Sequence, residues 1–112
     1  LMPKALNRLS PFHTSIYITD VGSLGIGPVF HHIYDFGTTS VFMAIGKKET
    51  ELIRGSDGSL EDKKVIRLRF TVDERICDGY YYAESIRSMK RMLKNPEVLE
   101  QPPASTPADA WI

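Results

Sequence analysis

From Lys64 to Val72 apolar and polar residues alternate. Ile66, Leu68, Phe70 and Val72 fall on every second position, with Arg67, Arg69 and Thr71 between them. A period of two gives a strand with one apolar and one polar face. Further on the period changes: Tyr82, Ile86, Met89 and Leu93 form the apolar stripe of an amphipathic helix. Asp78 stands at the N-cap position with Gly79 behind it, and Asn95-Pro96 supplies a stop, so a helix is expected from about Gly79 to Asn95. The segment Thr71-Val72-Asp73-Glu74-Arg75-Ile76-Cys77-Asp78-Gly79 joins the two patterns. If the strand ran on through it, Glu74 would share the parity of the buried face, where a carboxylate must be paired, protonated or in a cleft.

Upstream, the pattern is of strands and turns. Pro3 and Pro11 bracket at most two helical turns in a leading segment, residues 1–12, that reads as packing on something else. Thr14 to Val21 is rich in β-branched residues and predicts a strand. Gly22, Gly25, Gly27 and Pro28 make a flexible loop. Thr39 to Ile45 predicts a second strand whose unbroken apolar run, Val41-Phe42-Met43-Ala44-Ile45, fits burial on both faces; Gly46-Lys47-Lys48 ends it. Glu51–Arg54 and Lys64–Val72 flank Gly55-Ser56-Asp57-Gly58, as an antiparallel pair joined by a turn. After Leu99 the chain becomes proline-rich, so residues 1–100 are read as the domain and 101–112 as a tail, with Trp111 either docked on a neighbour or solvated. Strand, strand, hairpin, helix is an α+β order with two layers, one helix covering a sheet. A single helix leaves half of the sheet's apolar area to another chain or to a missing segment.

Composition narrows the function. Fourteen basic and 14 acidic residues cancel, which argues against a general nucleic-acid binder and against adhesion to anionic membrane. Arg87, Lys90, Arg91 and Lys94 crowd the helix; a solvated face explains them, and a phosphate contact is the sharper alternative. One cysteine, Cys77, permits no internal disulfide and fits a reducing, cytoplasmic setting; a small buried residue is its plainer explanation than a nucleophile. No apolar run reaches the ~20 residues of a membrane helix. The first residue is Leu1, not methionine, which reads as a fragment of a longer chain or as a tagged one.

Two motifs invite over-reading. Gly22-Ser23-Leu24-Gly25-Ile26-Gly27 resembles a dinucleotide fingerprint, but Pro28-Val29-Phe30 follows rather than a helix. His31 and His32, with His13 and Asp35, have metal-ligand chemistry without metal-ligand spacing, since neighbours on an extended chain face opposite ways. Hydrogen-bonding loop histidines are the simpler reading, a binding-cleft role the alternative, and no metal site is expected.

At Asp73-Glu74-Arg75-Ile76-Cys77-Asp78-Gly79 the chain resembles the catalytic domain of the dihydrolipoamide acyltransferases. These are the core subunits of 2-oxoacid dehydrogenase complexes, in the chloramphenicol-acetyltransferase-like superfamily, whose signature there is Asp-His-Arg-x-x-Asp-Gly. Ile18-Thr19-Asp20-Val21-Gly22 is similar to the family's Ile-Ser-Asn-Leu-Gly, and Pro28-Val29 to its Thr-Pro-Ile-Val. Ala44-Ile45-Gly46 resembles its Ala-Ile-Leu-Gly, and Lys94-Asn95-Pro96 its Leu-Glu-x-Pro. The colinear match runs over roughly residues 10 to 100. The family domain is about twice this length, so the resemblance implies the C-terminal half of a chloramphenicol-acetyltransferase-like sandwich.

The resemblance further implies acyl transfer between thiols, with coenzyme A or acyl-CoA as substrate and a lipoyl group on a partner domain. It implies a homo-oligomer, a trimer or a multiple of three, with the active site between subunits. The position matching the catalytic histidine holds Glu74. An unperturbed glutamate, near ~4.3, is a weaker base than histidine, near ~6.5, by roughly two units and would serve only if burial raised its pKa. Thr19 matches the serine whose hydroxyl steadies the tetrahedral oxyanion and keeps the donor; an ordinary strand threonine is the alternative. Asp78 matches the signature aspartate, a role compatible with the helix cap. Glu74, Asp78 and Thr19 are therefore the candidate catalytic residues of an altered or impaired acyltransferase. The alternative is a non-catalytic structural, assembly or acyl-CoA-binding module on the same scaffold.

Overall fold

The computed structural model describes residues 3–104, so the two readings of Trp111 and most of the 101–112 tail lie outside the described residues. The chain divides into two compact units, Leu1–Ile76 and Cys77–Ile112. The first holds a short helix α1 (Lys4–Leu9) and three strands, β1 (Ile16–Asp20), β2 (Val41–Arg54) and β3 (Leu60–Val72); the second holds the helix α2 (Gly79–Lys94). A mixed three-stranded sheet with helices is an α+β chain, as expected.

The sheet order is β1-β2-β3, with β1 parallel and β3 antiparallel to β2. Two expected strands, Thr39–Ile45 and Glu51–Arg54, are one. Gly46 and Lys47 do not end the first; the register slips between Ile45 (opposite Leu68) and Lys48 (opposite Ile66), so two residues face Arg67 in a β-bulge and pairing resumes. Pairing then continues to Arg54 opposite Leu60, which starts β3 four residues earlier than the alternation alone suggests. The turn is closed by Gly58 at φ 85°, its N–H donating to the Gly55 carbonyl at 3.0 Å. Asp57 accepts from the Ser59 hydroxyl and N–H, and that hydroxyl holds the Asp57 carboxyl below its usual range.

Burial on both faces of β2 is not what the sheet shows. Phe42 and Ala44 are buried, at 2 % and 0 % exposure, while Val41, Met43 and Ile45 are half-buried. The register explains the asymmetry. Ile16 and Ile18 of β1 and Leu68, Phe70 and Val72 of β3 line up with Val41, Met43 and Ile45 on one apolar face, where Ile18 is 53 % exposed. The opposite face carries Tyr17, Thr19, Phe42 and Ala44 and is covered by the long connection between β1 and β2. Tyr17 stacks on Phe42, and Tyr34 and His31 close on it from the connection, at centroid separations of 5.4 to 5.5 Å.

That connection is tied down rather than loose. Asp20 accepts from the N–H groups of Gly22 and Ser23, forming a single 3-10 turn, and Lys47 N–H donates to the Ile26 carbonyl at 3.0 Å. Residues 28–39 contain no helix, consistent with the rejection of a dinucleotide motif. The leading segment finds its partner at the other end of the connection: the Phe12 ring meets Tyr34 and Phe36 edge-on, and its carbonyl accepts from Thr38, Thr39 and the buried Thr39 hydroxyl.

In the second unit α2 starts as the sequence predicts. The Asp78 carboxylate accepts from Tyr81 N–H at 2.8 Å, satisfying one of the free donors of the first turn. Helix geometry ends at Lys94, with Asn95 as the C-cap. Substituting Asp78→Ala is expected to cost about 1 kcal/mol of helix stability while Asp78→Asn costs far less, measured by far-UV circular dichroism during urea unfolding.

Candidate functional site

The signature segment is built by a turn and an ion pair. Asp73 N–H still donates to the Ser40 carbonyl at 2.9 Å, and Ile76 N–H donates to the Asp73 carbonyl at 3.0 Å, so the chain turns directly after β3. Arg75 grips Asp73 through its backbone N–H and through Nε and Nη2 of its guanidinium, at 2.6 to 3.0 Å. These contacts hold the Asp73 carboxyl below its usual range, and they raise Arg75, with Asp35 adding attraction. The residue between the paired ones, Glu74, is exposed. The condition under which Glu74 would take the buried parity is not met: β3 ends at Val72, and the Asp73–Arg75 pair holds the turn that follows. Among the described residues no hydrogen bond or ion pair engages its carboxylate.

Thr19 lies elsewhere on the sheet. It is half-buried in β1, in register with Ala44 and, across β2, with Arg69. Asp73 follows the row of Val72, Val41 and Ile16, four rows from Thr19 and two strands away. At about 3.3 Å per row and about 4.8 Å per strand that is roughly 16 Å between backbones. The hydroxyl of Thr19 has a nearer partner: His31 Nε2, 3.0 Å from Oγ1. The His31 ring is half-buried and lies tilted on Phe42 at 5.5 Å, which fixes its plane. In the same row of the sheet, the Arg69 guanidinium sits over the Phe30 ring at 4.4 Å.

Within one chain the fold thus joins Thr19 to His31 and leaves Glu74 apart. Asp78, in the second unit, caps α2. His31 and His32 point to different surroundings, as extended neighbours should: His32 is exposed and meets Tyr34 edge-on. His13 packs edge-on against Phe36. Among the described residues no group of three or more His, Cys, Asp or Glu side chains is placed to hold a metal ion, and no helix is long and apolar enough to cross a membrane. The pairing of Thr19 with His31 is the feature that sequence reasoning missed. Hydrogen-bonding loop histidines are legible in the sequence, but the separation of twelve positions along the chain hides which hydroxyl one of them meets.

Residues 8–100 match the family model of the 2-oxoacid dehydrogenases acyltransferase (catalytic domain). Among curated proteins none matches the chain.

Proposed function

The chain belongs to the catalytic-domain family of the 2-oxoacid dehydrogenase acyltransferases, and from that premise we propose that it handles acyl-CoA in acyl transfer between thiols, with the reaction impaired at Glu74. Glu74 occupies the position of the family's catalytic histidine, Thr19 that of the oxyanion donor and Asp78 that of the signature aspartate. The exposure of Glu74 carries the reading of impairment: a hydrated carboxylate is a poor acceptor for a thiol proton.

On this reading residues 1–100 form the C-terminal half of a chloramphenicol-acetyltransferase-like sandwich and 101–112 a tail. The domain acts in the cytoplasm on coenzyme A thioesters, with a lipoyl group on a partner domain as the second thiol. It assembles as a trimer or a multiple of three. An exposed Glu74 is available to a cleft shared between subunits, and separation of Thr19 from Glu74 within one chain is what a shared cleft requires. The open apolar face of the sheet supplies area for such contacts.

The test is release of coenzyme A from acetyl-CoA in the presence of dihydrolipoamide, alongside titration of CoA binding and sedimentation of the protein. Slow, thiol-dependent turnover by a trimeric species is expected. The same exposure of Glu74 favours the second reading, a non-catalytic assembly or acyl-CoA-binding module. That reading is selected if CoA binds with no turnover, and the family-based substrate class is rejected if CoA does not bind.

A further inference from the structure

We propose that His31 is the acid–base residue behind the remaining acyl transfer, its Nε2 exchanging protons with the thiols that enter and leave beside Thr19. The inference rests on the acyl-transfer reading above and names a residue for it.

Geometry comes first. Nε2 lies 3.0 Å from the Thr19 hydroxyl, within the range in which a base and the group it serves share a proton. Phe42, itself buried, lies against the ring, and the connection that carries His31 is anchored by Lys47 N–H on the Ile26 carbonyl and by Thr38 and Thr39 on the Phe12 carbonyl. A half-buried imidazole so held has already lost its rotamer freedom before substrate arrives. The other histidines do not share this setting, since His13 and His32 contact Phe36 and Tyr34 and neither meets the Thr19 hydroxyl.

The chemistry closes without any other reagent. With the ring proton on Nδ1, Nε2 is an acceptor and the Thr19 hydroxyl donates to it. A thiol entering beside Thr19 gives its proton to Nε2 as its sulfur forms a bond to the thioester carbonyl carbon, and the carbonyl oxygen takes up the displaced electron pair. The new Nε2–H then donates to Thr19 Oγ1, which frees the threonine O–H to donate to the oxyanion. On collapse the original C–S bond breaks, the departing sulfur carries off the pair, and Nε2 returns the proton to it. The one contact between Thr19 and His31 thus couples proton removal to oxyanion stabilisation.

Acetyl-CoA and dihydrolipoamide are the probes, with the 112-residue chain and its His31→Gln and His31→Ala variants, each checked for folding by circular dichroism. His31→Gln is expected to lower kcat by about 10²-fold or more with little change in KM. Added imidazole is expected to restore part of the lost rate to His31→Ala, which a purely structural histidine would not allow. A folded His31→Gln variant with wild-type kcat overturns the inference and leaves the acyl-transfer reading standing. Wild type that binds CoA and turns nothing over overturns both; absence of CoA binding as well removes the substrate class itself. Nitrogen-15 NMR of the wild-type histidines gives a check independent of any variant: the neutral His31 ring is expected to carry its proton on Nδ1, and a neutral ring with the proton on Nε2 overturns its role as acceptor.

Discussion

Glu74→His is expected to raise thiol-dependent acyl transfer on the order of 10²-fold over wild type, the size of a well-placed general base. The substitution puts an imidazole at the position of the family's proton acceptor, on a turn already fixed by the Asp73–Arg75 pair. It asks little of the fold, because Glu74 is exposed and its carboxylate has no partner among the described residues. A carboxylate in water is a weaker base than imidazole by roughly two units, so the gain belongs in kcat rather than in binding of CoA. Combining Glu74→His with His31→Gln separates the two bases: the gain persists if the turn is the working position of the family site. A folded Glu74→His variant that binds CoA and stays at wild-type rate would rule out the shared cleft, since the restored base would then have nothing to act on.

Gly37→Ala is expected to destabilise the first unit on the order of 3 kcal/mol, through backbone strain added to a steric clash. Gly37 has φ 96°, a region that L side chains rarely adopt. A Cβ there would stand 2.2 Å from the Phe12 carbonyl oxygen and 2.8 Å from its carbon. That oxygen cannot retreat cheaply, because it accepts from Thr38 N–H at 2.8 Å, Thr39 N–H at 3.3 Å and the Thr39 hydroxyl at 3.1 Å. Gly27→Ala is the control: nothing lies within 4 Å of its added Cβ, and a change within about 1 kcal/mol is expected. Equilibrium urea unfolding followed by tryptophan-independent circular dichroism gives both values. If Gly37→Ala matches the control, the Phe12 anchor contributes nothing. If it unfolds the connection instead, acyl transfer should fall with it, because that connection carries His31.

Local order determined much of this protein. The alternation of Ile66, Leu68, Phe70 and Val72, the helical stripe from Tyr82 and the Asp78 cap are short-range patterns, and each element forms where its pattern lies. The family is legible for the same reason: its signature is contiguous along the chain, and the match covers residues 8–100. What the pattern misjudged depends on partners distant in sequence. Gly46-Lys47 reads as a strand end until β3 pairs past it and absorbs the extra residue as a bulge. Glu74 would face a core only if the strand ran on through it, and the turn held by the Asp73–Arg75 pair decides that it does not. Thr19 reads as an oxyanion donor or an ordinary strand threonine, and only the folded connection sets His31 against it, because the parity of a strand says which face a side chain takes and nothing about what is laid over that face.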